Sequence, residues 1–185
     1  MPTASEQKVR RLNWGCGRHP AAGWINSDRK EAPGIDISCD IRSGLPLPDA
    51  YFDYIVSIHA LPEVPYPDLV PTLVELRRVL RPRGVLRLGL PNLEEGIDAY
   101  RRGDAAYFVI PDEHARTIGA KLIAQLVWYG YSRTLFVREF AVELLERAGF
   151  SEVHEVPLGT TLSAYPEIVS LDDRPGESFF VEAVR

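Results

Sequence analysis

The chain has 185 residues, 45% of them hydrophobic and 25% charged, enough for one domain with a buried core and cramped for two. A net charge of −5 argues against a broad nucleic-acid surface, and two cysteines are too few for a disulfide framework or a zinc site. With neither a long uncharged apolar segment nor a cleavable signal in view, a cytoplasmic protein without membrane or nucleic-acid partners is expected.

In chain order, the first eight residues are polar and expected to fray. The first strand, residues 9–14, runs into Leu12-Asn13-Trp14-Gly15-Cys16-Gly17, a strand breaking into a tight glycine turn. Such a turn leaves the backbone bare enough for a ligand to lie against it. A second strand, residues 24–28, ends in Asp28, a carboxylate suited to the two hydroxyls of a ribose. Between them Pro20 and Gly23 leave room for a helix of one or two turns, or only a loop.

Strands at 35–39, 52–59 and 84–90 follow, the last two as near-continuous apolar runs of the kind buried on both faces of a parallel sheet. Pro67-Asp68 starts a helix that carries Leu69, Leu73, Leu76 and Leu80 on one face, with Pro71 confined to its first turn. Arg81-Pro82-Arg83-Gly84 stops it, and the arginines at 77, 78, 81, 83 and 87 are expected on the solvent face of this helix and its exit. Residues 93–103 and 113–128 read as helices, the second carrying Ile118, Leu122, Leu126 and Val127. Phe136, Phe140, Leu144, Leu145 and Ala148 mark the inner face of another, stopped by Gly149. Ser151 to Val156 alternates as a half-exposed strand, Arg174-Pro175-Gly176 turns the chain, and Ser178 to Val184 closes it as a strand.

Strand, glycine turn, strand and acid form a grip for an adenosine-containing cofactor. A dinucleotide site needs a third glycine, where Pro20 stands, and a P-loop needs a Gly-Lys-Ser/Thr tail, where Arg18-His19-Pro20 stands. A turn without phosphate machinery suits S-adenosylmethionine. Further along, Cys39-Asp40-Ile41 ends a third apolar segment and Phe52 to His59 forms a fourth, ahead of the Leu80-Arg81-Pro82-Arg83-Gly84 turn. This ordered series resembles the class I S-adenosylmethionine-dependent methyltransferases, in particular their small type 11-like group, over nearly the whole chain from Val9. The resemblance implies an α/β fold in one domain: a doubly wound, mostly parallel seven-stranded sheet of order 3-2-1-4-5-7-6, its last strand antiparallel, with flanking helices. Asp28 matches the family's ribose-binding acid and Asp40-Ile41 its adenine-contacting pair. Asn13 replaces an acid usual on the first strand, and the Asp/Asn-Pro-Pro-aromatic motif of amino-group methylases is absent after Ser57.

Ligands of open α/β sheets sit beyond the carboxyl ends of the strands. The expected cofactor residues are therefore Asn13, Trp14, Gly15, Cys16, Gly17, Asp28, Asp40, Ile41, Ser57 and His59. Asn92, Trp128, Tyr129 and Arg133 are expected at the acceptor, under a roof formed by residues 93–133. Transfer to a hydroxyl profits from a base, for which His59 is the leading candidate and His114, at the start of the roof helix, the second. Asp112-Glu113-His114 are adjacent and converge poorly on one ion, so no metal is expected. The expected activity is methylation of a small polar acceptor, most simply a sugar or polyol oxygen, by a monomer or homodimer. A protein or RNA methyltransferase and a non-catalytic cofactor-binding module are the alternatives.

Overall fold

The structure, a computed structural model, describes residues 9–185, so the expected fraying of the first eight residues lies outside the described residues. Seven strands form one sheet: β1 (Arg11–Trp14), β2 (Ile25–Asp28), β3 (Ile37–Ser38), β4 (Phe52–Ile58), β5 (Leu80–Pro91), β6 (Ser151–Val156) and β7 (Ser178–Val184). Their order is β3-β2-β1-β4-β5-β7-β6, the expected one, with β1 to β5 parallel and β7 antiparallel to both of its neighbours. The helices are α1 (Leu69–Val79), α2 (Leu93–Arg102), α3 (Ile118–Val127) and α4 (Arg138–Arg147).

α1 buries Leu69, Leu73, Leu76 and Val79, and α4 buries Ala141, Leu144 and Leu145, in one core with Leu12, Ile55, Leu86, Leu88 and Val181 from the strands. On the opposite face Trp24, Tyr54, Val56 and Val85 pack against Ile168, which sits in the 3-10 turn Pro166–Leu171. No helix forms between β1 and β2; the loop option is the one realised. Asn13 and Asn26 explain why. Asn13 Nδ2 donates to His19 O (3.3 Å) and to Asn26 Oδ1 (3.1 Å), and Asn26 Oδ1 also accepts from Ala21 N at 2.8 Å. The pair supplies the loop with the hydrogen bonds that a helix would have made internally.

Three sequence expectations change. First, β5 begins at Leu80, with no separate turn after α1: Phe52 pairs with Leu80 and Tyr54 with Val85, so residues 81–84 are a bulge in the strand. Arg83 takes a positive φ there, and a Cβ on Gly84 would lie 2.8 Å from Arg81 O. Second, the roof helix α3 starts at Ile118, capped by Thr117, so His114 lies in the turn before it and outside its first turn. Third, Arg87 is not on a solvent face; its side chain is 0% exposed. Nε donates to Asp172 Oδ1 (2.7 Å), while Nη1 donates to Glu182 Oε1 (2.7 Å) and Thr160 O (3.0 Å). Both carboxylates are satisfied further, Asp172 by Gly159 N and Glu182 by Leu162 N. This buried triad fastens the long excursion between β6 and β7 to the sheet.

Candidate active site

A cavity of about 650 Å³ opens beyond the carboxyl ends of β1, β2, β4 and β5. One half is built by the glycine turn. Gly15 has φ +69°, and a Cβ on it would stand 2.1 Å from that of Ala60, so only glycine lets the β1 and β4 tips approach this closely. Gly17, also at positive φ, has no atom within 4 Å of its Cβ direction, which leaves open space over the turn. Asp28 ties the two tips together: its Oδ2 accepts from Gly17 N at 2.9 Å and its Oδ1 from Lys30 N at 3.1 Å. Asp40 caps the 3-10 turn Ile41–Ser43 and is gripped by Arg42, with Nη2 to Oδ2 at 2.6 Å. Those hydrogen bonds hold its carboxyl down at about 2. Burial, reinforced by Asp28, pushes the Cys16 thiol up to about 11, so it stays protonated and is no nucleophile.

Trp14, Gly15, Cys16, Gly17, Asp28, Asp40, Ile41 and His59 all line this cavity, as do Asn92, Trp128 and Arg133. Asn13 and Ser57 do not: both are buried, Asn13 in the loop-holding pair and Ser57 with its hydroxyl unpartnered among the described residues. His114 and Tyr129 also fall outside the lining, paired with each other at the surface, with Nδ1 2.9 Å from the phenol oxygen. Trp128 and Tyr129 both take left-handed backbone, and their rings meet edge to face at 5.8 Å.

His59 occupies the end of β4 with φ +56°. Its Nε2 lies 2.8 Å from Ser178 Oγ, and burial, helped by the Arg174 cation, pushes the ring down to about 3. A ring this reluctant to take a proton is neutral throughout the working range and a weak general base. Its contact with Ser178 joins the β4 tip to β7.

Residues 16–88 match a family model described as a methyltransferase domain. A probable methyltransferase of Aspergillus luteorubrus is 42% identical over 73 residues, which are 38% of this chain and 26% of that protein. The chain thus spans about a quarter of the length of that curated relative. Among solved structures, S-adenosylmethionine-dependent methyltransferases of Thermotoga maritima and Archaeoglobus fulgidus superpose with a TM-score of 0.60 each, at 19% and 14% identity. The first alignment covers 96% of this chain and 83% of its counterpart, the second 96% and 87%. Residues 16–88 are thus similar to a methyltransferase domain, and the fold is the one those S-adenosylmethionine-dependent enzymes share.

The other half of the cavity holds residues that strand-end reasoning missed. Tyr107, Tyr131, Arg174 and Glu177 line it. Arg174 and Glu177 precede β7, and because β7 runs antiparallel its amino end lies beside the carboxyl end of β5, where Ser178 pairs with Pro91. Asn92 caps α2 through Glu95 N (3.1 Å) and donates its own backbone N–H to Glu177 O (2.9 Å). The usable signal in the sequence was the antiparallel last strand itself, whose beginning belongs with the other strands' ends. Burial pushes the Glu177 carboxyl up, against the lowering effect of Arg174, and raises the Tyr107 phenol to about 12.

Proposed function

We propose that this chain binds S-adenosylmethionine and transfers its methyl group to an oxygen of a small polar acceptor, a sugar or polyol being the simplest candidate. The observation that carries the reading is the glycine turn: Gly15 packed on Ala60, Gly17 open to the cavity, and Asp28 fixed beneath. The residues fit the cofactor. Asp28 has lone pairs left for ribose hydroxyls beyond the two that hold the turn, and Ile41 offers an apolar wall for a base. A cavity of about 650 Å³ holds a ligand of that size with space beyond it.

The bound cofactor would supply an activated methyl with a neutral leaving group, so the protein's task is to hold donor and acceptor in line. The β1 turn and Asp28 would fix the donor, His59 and Ser178 would set the floor between the two halves, and residues after Asn92 would hold the acceptor. The space past the cofactor residues, lined by Tyr107, Arg174 and Glu177, favours a catalytic domain over a module that only binds cofactor. Isothermal calorimetry tests the reading. S-adenosylhomocysteine is expected to bind and NADH not to, and Asp28→Ala is expected to weaken binding about 10- to 150-fold, the value of charge-assisted hydrogen bonds. NADH binding without S-adenosylhomocysteine binding would overturn it.

A further inference from the structure

Arg174 and Glu177 stand at the acceptor end as a pair that is close but unjoined. Arg174 Nη1 is 3.8 Å from Glu177 Oε1, and its Nε is 3.6 Å from Asp173 Oδ1, both beyond hydrogen-bond distance. Neither the Arg174 nor the Glu177 side chain makes a hydrogen bond among the described residues, although they are only 30% and 14% exposed. Arg78, Arg81 and Arg87, in contrast, each close directly on a carboxylate. The Arg174 guanidinium lies 5.5 Å from the centre of the Trp128 ring, which keeps it against the cavity wall. Glu177 is held in place by its carbonyl, which accepts from Asn92 N, and by its neighbour Ser178, whose hydroxyl contacts the His59 ring.

On the methyltransferase reading above, we infer that Arg174 and Glu177 together read a neutral hydroxyl of the acceptor, accepting its proton at the carboxylate and donating to its oxygen from the guanidinium. The spacing allows it, since one oxygen can lie about 2.8 Å from each of two atoms that are themselves 3.8 Å apart. Charge selects the ligand class. An anionic acceptor meets the Glu177 carboxylate beside the guanidinium; a cationic acceptor meets Arg174 in front of Trp128. A hydroxyl satisfies both partners because it donates and accepts at one atom. Desolvation of the Glu177 carboxylate makes the unfilled contact costly and its filling rewarding. Trp128 and Tyr107 line the same cavity and add aromatic surface for the C–H side of a polyhydroxylated ring.

The test uses the full chain saturated with S-adenosylhomocysteine and three ring probes of similar size: methyl α-glucoside (neutral), glucuronate (anionic) and glucosamine (cationic). Ligand-observed NMR reads the millimolar affinities expected for such fragments. The neutral probe is expected to bind about tenfold or more tightly than either charged one, and Arg174→Ala and Glu177→Ala to weaken it about tenfold or more. Glu177→Gln, which keeps an acceptor oxygen, should recover part of the loss, and homocysteine-cofactor affinity should move less than twofold in all three variants. No binding of the neutral probe, equal binding by the variants, or preference for a charged probe would overturn the inference while leaving the cofactor reading intact. Failure of S-adenosylhomocysteine itself to bind would overturn that reading, and the inference with it.

Discussion

Replacing His59 by asparagine removes one titration from the folded protein and leaves the backbone at ease, because asparagine tolerates the φ of +56° found there. In the folded chain burial, with help from Arg174, lowers the ring to about 3, against 6.5 when it is free in water. The unfolded chain therefore binds the proton more readily over that whole interval. Stability contributed by the neutral ring is fully present above about pH 6.5 and is lost as pH falls toward 3. Each pH unit within the interval is worth about 1.4 kcal/mol, so acidifying from pH 6.5 to 4.5 should cost the wild type about 2–3 kcal/mol through this group alone. Urea unfolding at half-unit steps across that range reads it directly. His59→Asn is expected to start lower through loss of the Ser178 contact, but its stability should fall less steeply, and the other histidines and the carboxylates are common to both proteins. Parallel profiles would refute the claim that His59 is held neutral by burial. The same account expects a methyl-transfer rate with no histidine limb near pH 6.5, since the ring is already unprotonated there.

Gly15→Ala places a Cβ 2.1 Å from that of Ala60 at a positive φ, so it should lower the melting temperature and weaken S-adenosylhomocysteine binding; adding Ala60→Gly should recover part of both, and no recovery would show that the collision is not the cause. Arg87→Met strips the partner from Asp172 and Glu182 and should cost about 3–5 kcal/mol in urea unfolding, with a loss under about 1 kcal/mol contradicting the buried triad. Asn13→Asp sets a carboxylate against His19 O and Asn26 Oδ1 and should cost about 1–3 kcal/mol; unchanged thermal stability would mean that the loop is held by something else.

Local pattern was enough for much of this molecule. The alternation of apolar runs with glycine and proline marked the seven strands and α1, because a strand buried on both faces must be apolar throughout and a turn must have residues that can turn. Gly15, Gly17 and Asp28 were legible as a candidate site for the same reason: their chemistry acts through backbone a few residues away. The burial of Arg87, the part played by Arg174 and Glu177, and the charge state of His59 were not legible. Arg87 inside an apolar run signals a surface until Asp172 and Glu182 arrive from 85 and 95 residues along the chain to neutralise it. Arg174 and Glu177 looked like an ordinary turn before β7, and only the antiparallel pairing of that strand with β5 carries them to the cavity. His59 was placed correctly at the tip of β4, yet its charge state depended on Ser178, Arg174 and the degree of burial, none of which is a property of its neighbours in sequence. Short-range sterics and hydrophobic periodicity are written into consecutive residues, whereas desolvation and charge pairing depend on which distant segments close around a group once the sheet has formed.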